Sequence, residues 1–378
     1  METKRVLILG AGLVGRPMAL DLAKNNEFIV GIADISEDRL KPFNGSQITT
    51  HQADLSNAEI LRGLMGDYDL FINAVPGSMG FSTLRNLITA GKPVIDIAFY
   101  PENPFELSNL ALQHGSCVIC DMGVAPGMSH LLTGYAASKM DSVSKVLIYV
   151  GGLPKVRLQP WEYKAVFSPS DVIEEYLRPA RLVEHGQMVV KEALSESEFL
   201  DFDHVGTLEA FNSDGLRSLV TTIKADYMAE KTLRYPGHID KIKLLKSAGF
   251  FDEKPLLING TNVTPRELTQ KVLFPQWNLM PGEEDLTVMK IKVEGKSSGK
   301  SITHTFDLYD EYDPDNGVHS MARTTGYAAT VALRMAANGY FTEPGIHLPE
   351  NIGKNESLVR FILKGLQERN INYIHRIL

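Results

Sequence analysis

The chain has 378 residues with a formal net charge of -8, 44% hydrophobic residues, 22% charged residues and two cysteines. These totals are typical of a globular protein with about two or three domains, and the acidic balance argues against a nucleic-acid or anionic-membrane surface. Two cysteines exclude a disulfide framework, and the start METKRVLILG enters a short strand without a signal peptide, so we expect a cytoplasmic protein.

The first 121 residues alternate between two kinds of pattern. Short Val/Ile/Leu-rich runs predict strands, and the segments between them have helical patterns. The predicted strands are 5–10, 28–34, 47–52, 69–75, 93–98 and 116–121. The predicted helices are 13–24, 36–43, 57–65, 79–91 and 103–115. Strands that alternate with helices indicate right-handed βαβ units, and nearly continuous apolar strands indicate a parallel sheet covered on both faces.

A different pattern follows from about Val143 to Asp315. The strands become longer and less regularly spaced, and three of them are expected to be neighbours in a mixed or antiparallel sheet: 146–154, 285–295 and 301–309. Helical patterns interrupt this region at 168–183 and 238–251, and the last 60 residues are helical again, at 321–340 and 355–370.

The first strand is followed by a glycine-rich turn. Gly10, Gly12 and Gly15 form G-x-G-x-x-G directly after a predicted strand and at the start of a predicted helix. In this context the pattern predicts a dinucleotide site, because the turn brings backbone amides and the helix N-terminus to a pyrophosphate. Asp34 ends the second strand, where a carboxylate accepts both ribose hydroxyls and repels a 2′-phosphate, so we expect NAD rather than NADP. The alternative is a packing turn beside a solvated aspartate.

Further cofactor contacts are expected from the same turn and from the carboxyl ends of the third and fourth strands, because these ends line the cofactor crevice of an open α/β sheet. The residues are Leu13, Val14, Asp54, Leu55, Ala74, Val75 and Pro76.

The stretch KTLRYPGH places Arg234, Tyr235 and His238 around a Pro-Gly bend. If the hydride donor is an amino acid, its carboxylate calls for a planar bidentate partner, which arginine supplies and lysine does not. We therefore predict that Arg234 holds a substrate carboxylate. The alternative is a structural salt bridge with a capped turn, in which His238 is a helix cap.

The sequence indicates neither a metal site nor a reactive cysteine pair. Cys117 and Cys120 lie three apart on a predicted strand and so face opposite sides, which favours buried packing over a redox pair. No spacing of His, Cys or carboxylates is typical of a zinc or calcium site.

Taken with these motifs, the chain resembles the saccharopine dehydrogenase family, in the branch of glutamate-forming saccharopine reductases and lysine 6-dehydrogenases. The resemblance runs nearly from end to end and rests on GAGLVG, DMGVAPGMSH, YVGGLP, EYKAVFSPSDVIEEYLRPARLV, LEAFNSDGLRSL, KTLRYPGH and MARTTGYAATVALRMAANGYFTEPGIHLPE. It implies a Rossmann doubly wound parallel sheet, residues 1–122 plus 318–378, with an inserted α+β substrate domain built on a mixed sheet, residues 123–317. It also implies a homodimer and a substrate near Phe99, Tyr100, Gly123 and Arg234.

The sequence departs from the reductase pattern at two positions. Saccharopine reductases typically carry Asp where this chain has Ala125, and often Cys where it has Val150. Two polar residues of the reductase site are thus apolar here. GVAPG and EYLRPARLV are more similar to the lysine 6-dehydrogenase side of the family.

We therefore expect an NAD-dependent dehydrogenase that oxidises the ε C–N bond of lysine, with Tyr235, His238 and Tyr163 shaping the pocket around Arg234. The departing amine must be neutral, so a nearby group must accept a proton. Asp121 is the first candidate, followed by Asp96 and His130. Each of the three has a structural alternative, since a strand-end aspartate often caps the next turn.

Two rival functions stay open on the sequence. A saccharopine reductase or a carboxynorspermidine-type dehydrogenase is the closer one. The saccharopine tricarboxylate needs extra cations, for which the candidates are Arg157, Arg178, Arg181 and Arg217. The distant rival is a protein without catalytic activity that senses NAD through its Rossmann domain.

Overall fold

A computed structural model describes residues 3–166, 169–280 and 282–378. Its strands in chain order are β1 (Arg5–Leu9), β2 (Ile29–Asp34), β3 (Thr49–Gln52), β4 (Leu70–Asn73), β5 (Val94–Asp96), β6 (Cys117–Ile119), β7 (Ser142–Pro154), β8 (Ala180–Glu184), β9 (Gln187–Lys191), β10 (Glu198–Phe202), β11 (Gly206–Asn212), β12 (Tyr227–Arg234), β13 (Leu256–Ile258), β14 (Thr261–Val263), β15 (Asp285–Ser297), β16 (Lys300–Glu311), β17 (Gly345–His347) and β18 (Tyr373–Ile377).

The helices in chain order are α1 (Gly15–Ala23), α2 (Glu37–Leu40), α3 (Ala58–Met65), α4 (Gly77–Ile88), α5 (Ser108–His114), α6 (Met128–Ser138), α7 (Pro169–Leu177), α8 (Leu219–Thr222), α9 (His238–Ser247), α10 (Pro265–Trp277), α11 (Ser320–Ala337), α12 (Pro349–Gly353) and α13 (Glu356–Gln367). Of the helices described, none combines the length and the apolar character that crossing a membrane requires.

The chain forms two compact units. Unit 1 contains Met1–Asp141, Lys296–Lys300 and Ala322–Tyr373, and unit 2 contains Ser142–Gly295, Ser301–Met321 and Ile374–Leu378.

Unit 1 is built on the predicted parallel sheet. Its strand order is β17-β6-β5-β4-β1-β2-β3, and the pairing is parallel throughout. This is the order of a doubly wound dinucleotide-binding sheet: β1, β2 and β3 extend towards one edge, and the later strands are added on the other side of β1. Apart from the exposed first residues of β1 and β2, the central strands are buried, as their apolar sequences predict, because helices cover both faces.

One strand of this sheet was not predicted. β17 pairs in parallel with β6 and becomes the edge strand, so β6 is not the last strand of the sheet. Its three residues are too short for a sequence pattern to identify. The long predicted helix before it is confirmed as α11. Buried ion pairs link α11 to α1: Arg334 contacts Asp21 at 2.7 Å, and Thr330 donates a hydrogen bond to the same carboxylate.

Unit 2 is built on a mixed sheet, as expected. β7, β15 and β16 are neighbours in the order β10-β11-β12-β7-β15-β16-β18, and β8 pairs with β12 and β9. β12 runs parallel to β7 and antiparallel to β11, which makes the sheet mixed. The structure adds α10 and β18, which the sequence patterns did not indicate.

The predicted helix 168–183 is too long. Its first residue, Ser168, lies outside the described residues, and α7 ends at Leu177. Residues from Ala180 onward form β8. Pro179 explains the difference, because proline cannot continue a helix and disfavours helical geometry in the residue before it.

Candidate active site

The glycine turn between β1 and α1 has three glycines with two different tasks. Gly10 has φ +104°, and a Cβ there would lie 2.5 Å from the Ala74 carbonyl oxygen. A Cβ on Gly15 would lie 1.9 Å from the Gly10 carbonyl oxygen. A Cβ on Gly12 would meet no protein atom within 4 Å. Packing therefore requires Gly10 and Gly15, whereas Gly12 leaves space into which a ligand can approach the backbone.

The start of α1 suits an anionic ligand. Its N-cap residue Val14 supplies no side-chain hydrogen bond to the first turn, and the first turn contains no acidic residue. The leading N–H groups of a helix need acceptors and carry partial positive charge, so a pyrophosphate satisfies both. Beside them Leu13 is 48% exposed. The residues present thus fit a dinucleotide.

Asp34 lies at the end of β2, as predicted, and is tied to the glycine turn. Its Oδ2 accepts a hydrogen bond of 2.8 Å from the Ala11 N–H, and its Oδ1 accepts one of 2.9 Å from the Ser36 N–H. Arg39 approaches Oδ2 at 3.5 Å with a side chain that is 58% exposed, while the Asp34 side chain is 6% exposed. Asp34 therefore holds the turn in place, and a carboxylate with this number of partners keeps acceptor capacity for ribose hydroxyls.

The residues after β3 and β4 divide into one exposed turn and a buried pair. Asp54 is exposed, and hydrogen bonds from the Ser56 hydroxyl and N–H lower the pKa of its carboxyl. Leu55 and Val75 are buried in the core of unit 1. Ala74 packs against Gly10, and Pro76 precedes α4. Only Asp54 and Pro76 of these predicted contacts are exposed. Leu55 and Val75 lie in the core of unit 1, and Ala74 lies against Gly10.

Asp96 and Tyr100 bind each other at the end of β5. The Asp96 side chain is fully buried; its Oδ1 accepts from the Ala98 N–H at 2.9 Å and its Oδ2 from the Tyr100 hydroxyl at 3.0 Å. Burial, followed by the proximity of Cys120, Asp96 and Asp121, raises the pKa of Tyr100 far above its ordinary value. Between them, the Phe99 carbonyl oxygen lies 2.1 Å from where a Gly77 Cβ would be, so Gly77 is required. These contacts give Asp96 and Tyr100 a structural task; their catalytic and substrate-binding roles stay predictions.

Asp121 and Gly123 lie in the turn that connects β6 to α6. Asp121 has φ +54° and is 5% exposed, and its charge contributes to the raised pKa of Tyr100. The Gly123 N–H donates to the Pro126 carbonyl, and the Gly123 carbonyl accepts from the Met128 N–H. His130 is fully buried on α6, with Nδ1 3.0 Å from the Ser129 hydroxyl. The two predicted proton acceptors of this turn therefore differ: His130 is buried in the helix, whereas Asp121 lies in the connecting loop.

Arg234, in unit 2, is 2% exposed and lies at the end of β12. Its guanidinium is 4.6 Å above the Tyr163 ring and 5.7 Å from the Tyr176 ring. Nε–H donates to the Tyr176 hydroxyl at 3.1 Å, Nη1–H donates to the Leu233 carbonyl at 2.9 Å, and Nη2–H donates to Glu175 Oε2 at 2.7 Å. Three of its five N–H groups thus have acceptors among the described residues.

His238 completes this cluster as a neutral imidazole. Its Nδ1 lies 2.9 Å from the Trp161 carbonyl oxygen, which only accepts, so Nδ1 carries the proton and Nε2 accepts from the Tyr176 hydroxyl at 3.0 Å. Burial and then the charge of Arg234 lower the pKa of His238 to about 3. His238 is the first residue of α9, but its side chain serves the Arg234 cluster and does not cap the helix.

Tyr235, unlike Arg234 and His238 of the KTLRYPGH stretch, lies outside the Arg234 cluster. Its ring packs in a separate apolar cluster with Leu233 and Leu286, and its hydroxyl donates to the Pro154 carbonyl at 3.0 Å. Consecutive residues of a strand face opposite sides, so Arg234 and Tyr235 cannot share one pocket. The prediction that Tyr235 shapes the Arg234 pocket is wrong.

The sequence reasoning missed Glu175, Tyr176 and Trp277. Tyr176 and Trp277 are fully buried against Tyr163 and His238. A signal was present for Tyr176: it lies three residues after Ile173 and four after Val172, so the three form one apolar face on α7, which predicts burial of that face. Glu175 is adjacent to this face, and the sequence does not indicate that Arg234 reaches it.

The described residues contain no group of three or more His, Cys, Asp or Glu side chains that could hold a metal ion. Cys117 and Cys120 are both buried and not joined to each other, in line with their predicted packing role. Burial and then the charge of Glu343 raise the pKa of Cys117 to about 12, so this thiol is inert.

Comparison with known proteins is consistent with this geometry. Residues 6–119 match the saccharopine dehydrogenase NADP binding domain, and residues 123–371 match the saccharopine dehydrogenase C-terminal domain. The chain belongs to the saccharopine dehydrogenase family. It is therefore an NAD(P)-dependent oxidoreductase of the class that acts on CH–NH groups.

Relatives of this family are similar at low identity. Saccharopine dehydrogenase [NADP(+), L-glutamate-forming] of Schizosaccharomyces pombe is 24% identical, over 92% of this chain and 94% of the relative. Carboxynorspermidine synthase of Vibrio cholerae is 23% identical, over 93% of each chain. The solved structure of apo saccharopine dehydrogenase (L-Glu forming) from Saccharomyces cerevisiae has a TM-score of 0.81 at 20% identity, covering 99% of this chain and 100% of that one, which supports the fold.

Proposed function

We propose that the protein oxidises the ε C–N bond of lysine with NAD. When bound, the nicotinamide would supply the acceptor for the hydride that leaves the ε-carbon. The resulting substrate imine then takes up water, releases ammonia and leaves a semialdehyde that cyclises onto the α-amine. The chain's own residues have three tasks in this reaction: to hold the amino acid by its α-end, to accept the proton of the ε-ammonium and to fix the dinucleotide.

Arg234 is proposed to hold the α-carboxylate. The aromatic rings around the guanidinium and its three internal hydrogen bonds fix its plane, which is the geometry that bidentate binding of a carboxylate requires. Two of its N–H groups are not used by any described residue. A grip on the α-end leaves the ε-end of lysine as the reacting group.

The ion pairs of the other arginines favour lysine over saccharopine as the substrate. Arg181 makes a bidentate contact with Asp214, at 2.8 and 2.9 Å, and Arg157 pairs with Glu162 at 3.0 Å. The Nε and Nη2 groups of Arg181 are thus both occupied by Asp214, and a substrate with three carboxylates would need further cations beside Arg234. The apolar Ala125 and Val150 support the same choice.

Saccharopine is the second candidate substrate, because the relatives named above carry that activity in their names. Carboxylated polyamines are included for the same reason. Either substrate presents a secondary amine, so the same hydride step would apply, with Arg217 or Arg178 as further candidates for carboxylate contacts.

Asp121 is proposed as the proton acceptor. Its position in a loop at the carboxyl end of β6 places it where ligands of an open α/β sheet bind. Asp96 accepts from Ala98 and Tyr100, and His130 lies within α6, so we place Asp121 first for its position in the loop after β6.

NAD is the proposed cofactor, although the matching domain family and several relatives are named for NADP. The carboxylate of Asp34 supports NAD, because a 2′-phosphate brought to the end of β2 would meet this negative charge. Arg39 is the feature that would favour NADP, since its exposed guanidinium lies 3.5 Å from Asp34.

The proposed homodimer is supported by the edges of the mixed sheet. β9 and β10 are edge strands, and they expose Met188 at 57%, Val190 at 61% and Phe199 at 65%. Apolar edge strands are rarely left open in natural proteins. Sedimentation of the purified protein should give the mass of two chains; a single-chain mass at micromolar concentration would rule the dimer out.

The experiment is to follow absorbance of the reduced nicotinamide with NAD or NADP against lysine, saccharopine and carboxyalkyl polyamines. Arg234→Lys tests the carboxylate grip. Loss of the bidentate contact should raise KM for lysine about 10- to 100-fold while the Kd for NAD stays the same. Arg266→Lys, in the same unit and paired with Glu253, is the matched control. An unchanged KM in Arg234→Lys would contradict the proposal that Arg234 binds the α-carboxylate.

A further inference from the structure

The ion pair between Arg234 and Glu175 has an unusual balance of exposure. The Arg234 side chain is 3% exposed, whereas the Glu175 side chain is 22% exposed. Glu175 thus lies on the side from which a ligand can approach. Its Oε2 accepts from Arg234 and its Oε1 accepts from the Thr232 hydroxyl at 2.5 Å. Each carboxylate oxygen has capacity for a second donor.

The charges around this pair are compensated. Arg181 neutralises Asp214 through two hydrogen bonds. Burial, then the charges of Glu175 and Asp214, raise the pKa of Glu230 to about 8, so this neighbour is uncharged at neutral pH. Arg234 and Glu175 thus form a positive and a negative group side by side.

A second observation indicates a ligand at this place. The Tyr163 hydroxyl, on a residue that is 3% exposed, has no hydrogen bond of normal geometry to any described residue. Its ring lies directly under the Arg234 guanidinium. Burial raises the pKa of Tyr163 and a contact with Tyr176 adds to this rise, but that contact falls short of normal hydrogen-bond geometry. A ligand that supplies a well-placed acceptor would therefore stabilise this buried hydroxyl.

We propose that Arg234 and Glu175 together form a binding site for the zwitterionic α-end of an amino acid. Arg234 binds the α-carboxylate, with the Tyr163 hydroxyl as a further donor, and Glu175 accepts from the α-ammonium. Resting on the proposed grip of Arg234, this names Glu175 as the residue that makes the enzyme specific for α-amino acids over simple amines. The internal ion pair is retained, because each partner uses only part of its hydrogen-bonding capacity.

The test compares three ligands of similar length: L-lysine, 6-aminohexanoate, which lacks the α-ammonium, and cadaverine, which lacks the carboxylate. Their affinities are measured by calorimetry in the presence of NAD, and their kcat and KM in the turnover assay. L-saccharopine is added as a second zwitterionic ligand. The variants are Glu175→Gln and, as a matched control on the same helix, Glu174→Gln, whose side chain pairs with Arg266. Glutamine keeps the size of the side chain and one carbonyl acceptor, which can face Arg234 while the amide NH2 group faces the oxygen of the Thr232 hydroxyl.

We expect the unaltered protein to bind lysine about 10- to 100-fold more tightly than 6-aminohexanoate, the range for a hydrogen bond between charged groups. In Glu175→Gln this preference should fall to about 2-fold or less, whereas the preference of lysine over cadaverine should persist. The effect should appear in Kd and KM rather than in kcat. Glu174→Gln should bind all ligands as the unaltered protein does.

The outcomes separate this inference from the proposed function. If Glu175→Gln keeps the full preference for lysine over 6-aminohexanoate, Glu175 does not bind the ammonium, while the lysine oxidation stands. If lysine or saccharopine binds with the predicted preference but neither is turned over, the site stands and the proposed reaction fails. If neither ligand binds, both are overturned.

Discussion

Replacement of Glu230 by glutamine should remove a large pH dependence from the stability of unit 2. Glu230 is 4% exposed, and its Oε2 has no hydrogen-bond partner in the part of the chain that the structure describes. Gly215 makes room for this carboxyl, since a Cβ there would lie 1.6 Å from Glu230 Oε1. Burial is the first cause that raises the pKa of Glu230, from 4.5 to about 8.

The sign and size of the effect follow from this shift. The folded state keeps its proton up to a higher pH than the unfolded state, so the stabilisation is complete below pH 4.5 and is lost as pH rises through about 8. At pH 7 the loss is about 3 kcal/mol, and above pH 8 it approaches about 5 kcal/mol, at 1.36 kcal/mol per pKa unit. Glutamine stays neutral and avoids this loss.

The assay is urea unfolding followed by tryptophan fluorescence. The only two tryptophans, Trp161 and Trp277, lie in unit 2 with Glu230, so the signal reports this unit. The stability of Glu230→Gln relative to the unaltered protein should rise by about 3 kcal/mol between pH 4.5 and pH 7. Glu253→Gln, which removes an exposed carboxylate, gives the baseline. A difference that does not change with pH would refute the reasoning.

The remaining predictions concern unit 1. Gly12→Ala should fold normally but bind NAD at least about 10-fold more weakly, because its Cβ would lie in the space left for the ligand. Gly15→Ala should instead lower the melting temperature, because its Cβ would clash with the Gly10 carbonyl. Calorimetric titration and thermal unfolding distinguish these two effects, and an unchanged NAD affinity in Gly12→Ala would contradict the assigned site. Asp34→Ala should raise the ratio of kcat/KM for NADP to that for NAD, and a preference of the unaltered enzyme for NADP would contradict the cofactor proposal. Asp21→Asn should destabilise unit 1 by about 3–5 kcal/mol, because it leaves Arg334 and Arg369 without their buried partner. Burial opposes the pKa shift of Asp21, but the two arginines outweigh it and the net pKa is lowered, so this stabilisation is present above pH 3.8 and is lost as pH falls further; a variant as stable as the unaltered protein would show that the ion pairs contribute nothing.

Local patterns were sufficient to predict most of unit 1. The parallel sheet, the glycine turn and the position of Asp34 at the end of β2 all depend on neighbouring residues in the sequence. β17 was missed because three residues carry no periodicity, and its pairing with β6 joins segments more than 200 residues apart. The error in α7 has a different cause: the helical pattern was continued past Pro179, where the helix has ended and β8 begins.

Side-chain partnerships were harder to predict. Arg234 was proposed as a carboxylate ligand from its residue type and its position at a bend, but its partner Glu175 lies 59 residues earlier in the chain. Tyr235 was grouped with Arg234 because they are adjacent in sequence, whereas the alternation of a strand sends them to opposite faces. Asp96 was proposed as a base because it ends a strand, and the structure shows that the Ala98 N–H and the Tyr100 hydroxyl already use its carboxylate.

The most direct measurement of the central claim is the absorbance of reduced nicotinamide when the purified enzyme meets L-lysine and NAD. We expect steady formation of the reduced cofactor, with a kcat/KM for lysine above that for saccharopine. Turnover of saccharopine with no turnover of lysine would contradict the proposed substrate. Absence of turnover with every amine in the panel would contradict the proposed reaction as a whole.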